Sequence, residues 1–297
     1  MFRKYGHFQK IRESPSELSI RMISYFKFLS ALDISEKRKP QSGAFQRQFH
    51  DFHYSFRISS LPSAYLKESL AIRILKQNHA IPLQDLCHFQ ESAQLLERFV
   101  QQDSGLILIS GATGSGKTTT LYSLLHYCAN QLNRHVITIE DPVESVQPEL
   151  LQIQVNERAG VTYAASLKAV LRHSPQVLMI GEIRDKETAK IAIESAFTGH
   201  LVISTIHAKD SINCLYRLHD LSVSYEEMRQ MMRAVICQTL VEQGGEYKAL
   251  FELLHGQDLD DVFEAIRNNE ACQLSTEATL LGQKNKLSGG RYEYTSS

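Results

Sequence analysis

No run of apolar residues in this chain approaches the roughly 20 that a membrane-spanning helix needs. The basic opening, Met1 to Lys10, lacks the apolar stretch of a signal peptide. Tryptophan is absent and cysteine is scarce: Cys87, Cys128, Cys214, Cys237 and Cys272 include no C-x-x-C pair. That spacing argues against a zinc site or a disulfide framework and fits a reducing, cytoplasmic compartment. An excess of either charge is also missing. The 32 Lys and Arg against 33 Asp and Glu leave a net charge of −1, so no global field draws the chain to nucleic acid. With 43% hydrophobic and 22% charged residues over 297 positions, there is material for one large domain or two smaller ones. No internal repeat is visible.

The stretch that stands out is Gly111-Ala112-Thr113-Gly114-Ser115-Gly116-Lys117-Thr118, which fits G-x-x-x-x-G-K-[ST]. Its flanks fit as well. Leu106-Ile107-Leu108-Ile109 reads as a buried parallel strand, and Thr119 to Cys128 as a helix with Leu121, Leu124 and Leu125 on one face. Strand, glycine loop and helix bring backbone N–H groups and a helix N-terminus around an anion. The expected phosphate cradle is Gly111, Ala112, Thr113, Gly114, Ser115, Gly116, Lys117, Thr118 and Thr119. Lys117 would reach the β- and γ-phosphates, and the Thr118 hydroxyl would ligate Mg²⁺.

Upstream, Ser14-Pro15-Ser16-Glu17 reads as a helix start, with a Ser cap and Pro at the first helical position. Leu18, Met22, Ile23, Phe26 and Leu29 follow at helical spacing. Phe52 to Ile58 and Ser69 to Ile74 alternate as strands, with Phe52, Tyr54, Phe56, Ile58, Leu70, Ile72 and Ile74 facing in. Arg57 and Arg73 then share the opposite face of one small antiparallel sheet. Exposed strand arginines are commonplace, and spacing alone leaves them as solvated surface. Downstream, strands alternate with helices, as in a parallel sheet. Ser224 and Glu227 form a capping box, and the pattern predicts a helix from there to about Val241. The expected organisation is an N-terminal domain over 1–80, a linker over 81–92, a nucleotide-binding core over 93–243, a C-terminal helical part over 244–282, and a disordered polar tail over 283–297.

Hydrolysis of a nucleotide needs a Mg²⁺ ligand, a group to orient water, and cations for transition-state charge. Glu182 follows the apolar run Val177-Leu178-Met179-Ile180, where a P-loop protein carries its metal-side acid. Glu140, Asp141 and Glu144 end the strand His135 to Ile139; they form either a cluster needing a cation or water between them, or a polar turn around Pro142. His200 and His207 flank the strand Leu201 to Thr205, whose end should face the same crevice; isolated histidines are also commonly structural. Lys168 and Arg172 lie four apart on one helical face and either reach phosphate or are solvated.

In order, Gly111 to Thr118, Ile137-Thr138-Ile139-Glu140-Asp141-Pro142-Val143-Glu144, Met179-Ile180-Gly181-Glu182-Ile183-Arg184-Asp185 and Thr198-Gly199-His200 through His207 resemble the Walker A, Asp box, Walker B and His box of the secretion ATPases. These power type II secretion, type IV pilus assembly and competence. Short length and the absence of a tetracysteine zinc module resemble the Gram-positive competence-pseudopilus branch. The resemblance implies an α/β fold with a RecA-like P-loop core and a small PAS-like α+β domain. Against that resemblance the family's first strands are expected to be missing before Met1, through either a start assigned too far downstream or a truncated copy. The resemblance also implies ATP and Mg²⁺ without zinc, a homo-hexameric ring, and a polytopic inner-membrane platform as partner. Pseudopilins would be moved indirectly, with no sequence-specific nucleic-acid contact, from a peripheral position on the cytoplasmic face of the membrane. Arg57 and Arg73 sit where the family places arginines that act on a neighbour's nucleotide. Glu140 and Glu144 would position or activate water, and Glu182 would act through Mg²⁺ or its waters; the general base stays unassigned among them. Gln176, Lys168 and Gln238-Thr239-Leu240 depart from the family pattern. Ala265-Ile266-Arg267-Asn268 echoes a retraction-type motif, so pilus retraction stands as one alternative and a nucleotide-binding scaffold with little turnover as another.

Overall fold

The structure, a computed structural model, describes residues 2–4, 7–50, 52–64, 67–76, 80–243, 246–268, 270, 272, 274–275 and 278–287. Positions 288–297, most of the expected tail, lie outside the described residues. The chain divides into two compact units, Met1–Asn78 and His79–Ser297.

The first unit opens with a short hairpin, β1 (Phe2–Lys4) and β2 (His7–Gln9). Helix α1 (Ser16–Leu29) begins one residue later than its sequence predicts, because Pro15 takes the cap position with an extended backbone. An antiparallel sheet follows in the order β3 (Gln41–Phe49), β4 (Phe52–Ser63), β5 (Lys67–Lys76). Phe45 and Phe56, opposite each other in register, stack at 4.8 Å, and Phe26 of α1 stacks on Phe45 at 6.3 Å. Gly43 is needed beneath α1: an added Cβ would meet the Ser30 carbonyl at 2.5 Å.

The inward face differs from the predicted one in two places. Leu18 and Met22 are exposed, whereas Lys27 is completely buried. Its ammonium donates to Glu68 Oε1 at 2.8 Å and to the Glu36 carbonyl at 2.7 Å, which offsets desolvation. On β5, Ile72 and Ile74 are 38% and 51% exposed, on an edge strand that α1 reaches through the Lys27–Glu68 pair.

The second unit holds a seven-stranded sheet in the order β12-β11-β6-β10-β9-β7-β8. Its strands are β6 (Gly105–Ser110), β7 (Val136–Glu140), β8 (Leu151–Gln154), β9 (Val177–Ile180), β10 (Leu201–Thr205), β11 (Met232–Gln243) and β12 (Glu246–His255). All pairings are parallel except that of β11 with β12. Both faces are covered, as parallel sheets require. Leu106 and Leu108 of β6 join one apolar cluster and Ile107 and Ile109 the other, and all four are fully buried. The second cluster takes in α2 (Leu83–Leu86), α3 (Gln90–Val100) and α4 (Lys117–Asn130). The first takes in α5 (Tyr163–Val170), α6 (Lys186–Phe197), α7 (Ser211–Asp220), α8 (Tyr225–Met231) and α9 (Gly256–Arg267). A last helix, α10 (Leu280–Leu287), is tied to β12 through Gln283, whose amide donates to the Phe251 carbonyl at 2.7 Å.

Three predicted boundaries change. The 81–92 stretch is not an open connector: Leu83, Leu86 and Cys87 are buried in the second core. The helix predicted from Ser224 to about Val241 stops at Met231, after its capping box forms as expected. Ala234-Val235-Ile236-Cys237 then pairs with β6 as a buried strand, and the 244–282 segment opens with β12 instead of being wholly helical.

The Lys27–Glu68 pair yields a test. Lys27→Ala strands a buried carboxylate and should destabilise the first unit by about 3–5 kcal/mol. The double change Lys27→Met with Glu68→Leu should restore most of it. Denaturant titration of the single and double variants measures both.

Candidate active site

Parallel pairing sets the site. The carboxyl ends of β6, β10, β9 and β7 lie along one edge of the sheet, where open α/β sheets bind ligands. The glycine loop leaves β6 at that edge. Gly111, Gly114 and Gly116 have φ of +143°, +84° and +86°. Gly111 has a second reason to be glycine: a Cβ there would meet the Gln238 carbonyl at 2.5 Å and Ser115 Oγ at 2.7 Å. No side chain caps α4 at Gly116, so its first-turn N–H groups face the loop without a protein acceptor from a cap residue.

Lys117 folds back on this loop. Its Nζ donates to the Gly111 carbonyl at 2.6 Å and the Ala112 carbonyl at 3.0 Å. Partial burial lowers its pKa, while the charges of Glu182 and Glu144 oppose that shift. Both carboxylates therefore lie within electrostatic reach of the ammonium. An incoming phosphate would replace the carbonyl contacts and favour the charged lysine.

Glu182 follows β9. Gly181 makes the close approach possible: a Cβ on it would meet the Ile139 carbonyl at 3.3 Å. The neighbouring strand ends are laced together by Ser204 Oγ donating to the Ile180 carbonyl at 2.6 Å and Thr205 Oγ1 to the Gly181 carbonyl at 2.8 Å. Glu182 accepts from Arg184 Nε at 2.6 Å and lies 3.1 Å from His207 Nε2. The Arg184 bond raises the pKa of that guanidinium. Among the described residues no group of three or more His, Cys, Asp or Glu forms a metal cage. The donors fit Mg²⁺ nonetheless: one hydroxyl, Thr118, and one carboxylate, Glu182, suit an ion that draws its other ligands from phosphate and water.

The structure separates two pairs that the motifs group together. His207 lies at the carboxyl end of β10, but His200 precedes the strand, and its backbone carbonyl accepts from Gly105 N, at the start of β6, at 3.1 Å. The five-residue strand between them puts His200 about 16 Å away, on the opposite edge, so it does not share the crevice. Its Nδ1 lies 3.0 Å from Thr198 Oγ1 and 3.1 Å from the Ser195 carbonyl, a role at the end of α6.

The acids of the Asp box also part company. Glu140 is buried at 3% exposure and accepts from Tyr122 Oη at 2.6 Å, Thr138 Oγ1 at 2.7 Å and Gln152 Nε2 at 3.0 Å. Activating water was expected of it, yet its oxygens are already engaged by the protein. Asp141 is exposed and begins a cis peptide with Pro142. Glu144 is half-buried, and its charge raises the pKa of Lys117.

Arg57 and Arg73 belong to the first unit. They face each other directly in the β4–β5 register, in agreement with their predicted shared face. Three residues of the second unit escaped sequence reasoning. Gln238 donates to the Ser115 carbonyl at 2.6 Å and presses on Gly116, whose added Cβ would meet it at 3.1 Å. Tyr122 and Gln152 hold Glu140. Nothing in periodicity marks them, although Gln238 stands at one of the departures from the family pattern.

Gln238→Ala should loosen the loop without unfolding β11. Loss of one hydrogen bond of about 0.5–1.5 kcal/mol predicts roughly two- to twelvefold weaker nucleotide binding, read by titration with a fluorescent ADP analogue.

The model of the family described as "Type II/IV secretion system protein" matches residues 1–284. The Competence protein ComGA of Bacillus subtilis is 39% identical over 280 residues, covering 88% of this chain and 78% of that protein. Type II secretion system protein E of Pseudomonas aeruginosa is 39% identical over 241 residues, 81% of this chain but 48% of that longer protein. Among solved structures, the pilus retraction motor PilT with bound ADP superposes with a TM-score of 0.63 at 28% identity, covering 84% of this chain and 70% of that one. The Legionella pneumophila ATPase DotB superposes with a TM-score of 0.64 at 25% identity, covering 85% and 74%. With its RecA-like α/β core and an ordered set of motifs on one sheet edge, the chain belongs to the Type II/IV secretion system protein family.

Proposed function

We propose that this chain hydrolyses ATP as one subunit of a ring, driving assembly of a competence pseudopilus for DNA uptake. What supports the chemistry is that Lys117, Glu144 and Glu182 follow the carboxyl ends of β6, β7 and β9 in one parallel sheet. Lys117 and the α4 N-terminus bind the β- and γ-phosphates. Thr118 and Glu182 would hold Mg²⁺, whose charge would neutralise that of the phosphates. Glu144 orients the attacking water. His207 stays beside Glu182 and couples the end of β10 to it. Arg57 and Arg73 concentrate positive charge at one point of a sheet in the other unit, suited to the terminal phosphate of a neighbouring subunit's nucleotide.

The cellular role rests on relatives. Names of competence and type II secretion proteins recur at 38–39% identity. The likeness to a pilus retraction motor supports the second reading, retraction in place of assembly. No described helix is long and apolar enough to cross a membrane. Attachment to the cytoplasmic face through a polytopic platform protein is part of the proposal.

Two outcomes test it. Glu182→Gln keeps shape and removes a charge; it should retain ATP while turnover falls about 10²-fold or more, measured by phosphate release beside nucleotide binding. The arginines are tested by mixing. Arg57→Ala subunits have a sound P-loop, and Lys117→Ala subunits have sound arginines. Each alone should be nearly inactive, and exchange between them should restore part of the activity. No recovery, with exchange verified, would return both arginines to the solvated surface.

A further inference from the structure

Glu144 lies in a loop with no regular structure of its own, yet the peptides on either side of it are held. Val143 N donates to Gln154 Oε1 at 3.2 Å, and Ser145 N to Tyr122 Oη at 3.4 Å. The Ser145 carbonyl accepts from Gln152 Nε2 at 3.0 Å, and Gln147 N donates to Gln152 Oε1 at 2.6 Å. Two of the three side chains that clasp the loop, Tyr122 and Gln152, also reach Glu140 from outside β7. One buried carboxylate thus joins α4, β7 and β8 to the loop. Tyr122 stands five residues after Lys117 on the same rigid helix, about 7–8 Å further along its axis.

The phenol uses both capacities. Its proton goes to Glu140 and its lone pair receives Ser145 N. Burial first, then the Glu140 charge, pushes its pKa well above the ordinary value, so it remains a donor. Glu140 fixes the direction of the hydroxyl, and that direction fixes the peptide next to Glu144.

We propose that Tyr122, oriented by Glu140 and seconded by Gln152, is the positioning residue that sets Glu144 at its working distance from the phosphates on Lys117. The inference rests on the ATP-hydrolysis reading and on Glu144 as the water-orienting acid. It makes Glu140 part of the scaffold instead of a second acid at the water, and it ties the helix that binds phosphate to the loop that orients the attacking water.

The test is Tyr122→Phe, which keeps the ring and deletes the hydroxyl. The unfolding midpoint and the affinity for a fluorescent ATP analogue should stay near those of the unaltered chain, and KM should move less than about twofold. The rate constant kcat should fall about tenfold or more, as expected when a reacting group is misplaced. The decisive measurement is the double variant with Glu144→Gln, followed by single-turnover hydrolysis of radiolabelled ATP. If Tyr122 acts through Glu144, it adds no further loss in that background. A full multiplicative loss overturns the inference while leaving ATP hydrolysis standing. Undiminished turnover in Glu144→Gln alone overturns the assignment of Glu144 and the inference with it. Should Tyr122→Phe fail to fold, Gln152→Ala, at a half-buried position of edge strand β8, carries the same cycle with the same two outcomes.

Discussion

Parallel strand pairing is the constraint on which the rest of the site depends. Side chains from β6, β9 and β7 can meet one ligand because their carboxyl ends share an edge, and β10 lies between the strand of the glycine loop and the strand of Glu182. The register is locked by burial on both faces, since a one-residue slip would swap every side chain between the two apolar clusters. Hydroxyls then fasten the strand ends: Ser204 and Thr205 to β9 and its continuation, and Ser110 Oγ to Ala208, whose carbonyl it meets at 3.0 Å. The catalytic edge is accordingly built from neighbours in the sheet that lie far apart in sequence.

Within that frame the core solvates a carboxylate with its own donors. Tyr122, Thr138 and Gln152 supply three hydrogen bonds to Glu140 where water cannot. A half-satisfied buried network is costly and a complete one is rigid. The glycine loop shows the same economy of space. Gln238 supports it from β11, and Gly111 and Gly116 leave no room for a side chain against that strand.

Much of this was legible in the order of residues. The glycine loop announces itself by spacing, and its apolar strand and following helix by period. The position of Glu182 follows from the apolar run before it. The directly opposed Arg57 and Arg73 follow from alternation on two strands. What escaped has physical reasons. His200 and His207 look alike as flanks of one strand, but a strand has two ends and only one faces the phosphates. The capping box at Ser224 marks where a helix begins and says nothing of its length; the buried run Ala234 to Cys237 fits a strand or a buried helix equally by apolarity. Lys27 is interior because Glu68 and the Glu36 carbonyl await it, and such long-range partners leave no periodic trace. Tyr122, Gln152 and Gln238 act by tertiary hydrogen bonds alone and are invisible until the fold is known.

We propose a site whose P-loop and acids come from one subunit and whose arginines come from the next. Its most direct test is ATP turnover per subunit as a function of protein concentration, with molecular mass followed by light scattering on the same samples. A site completed by a neighbour predicts that turnover rises in step with the assembled fraction and nearly vanishes in the monomer. Equal turnover per subunit in monomeric and assembled samples would contradict it.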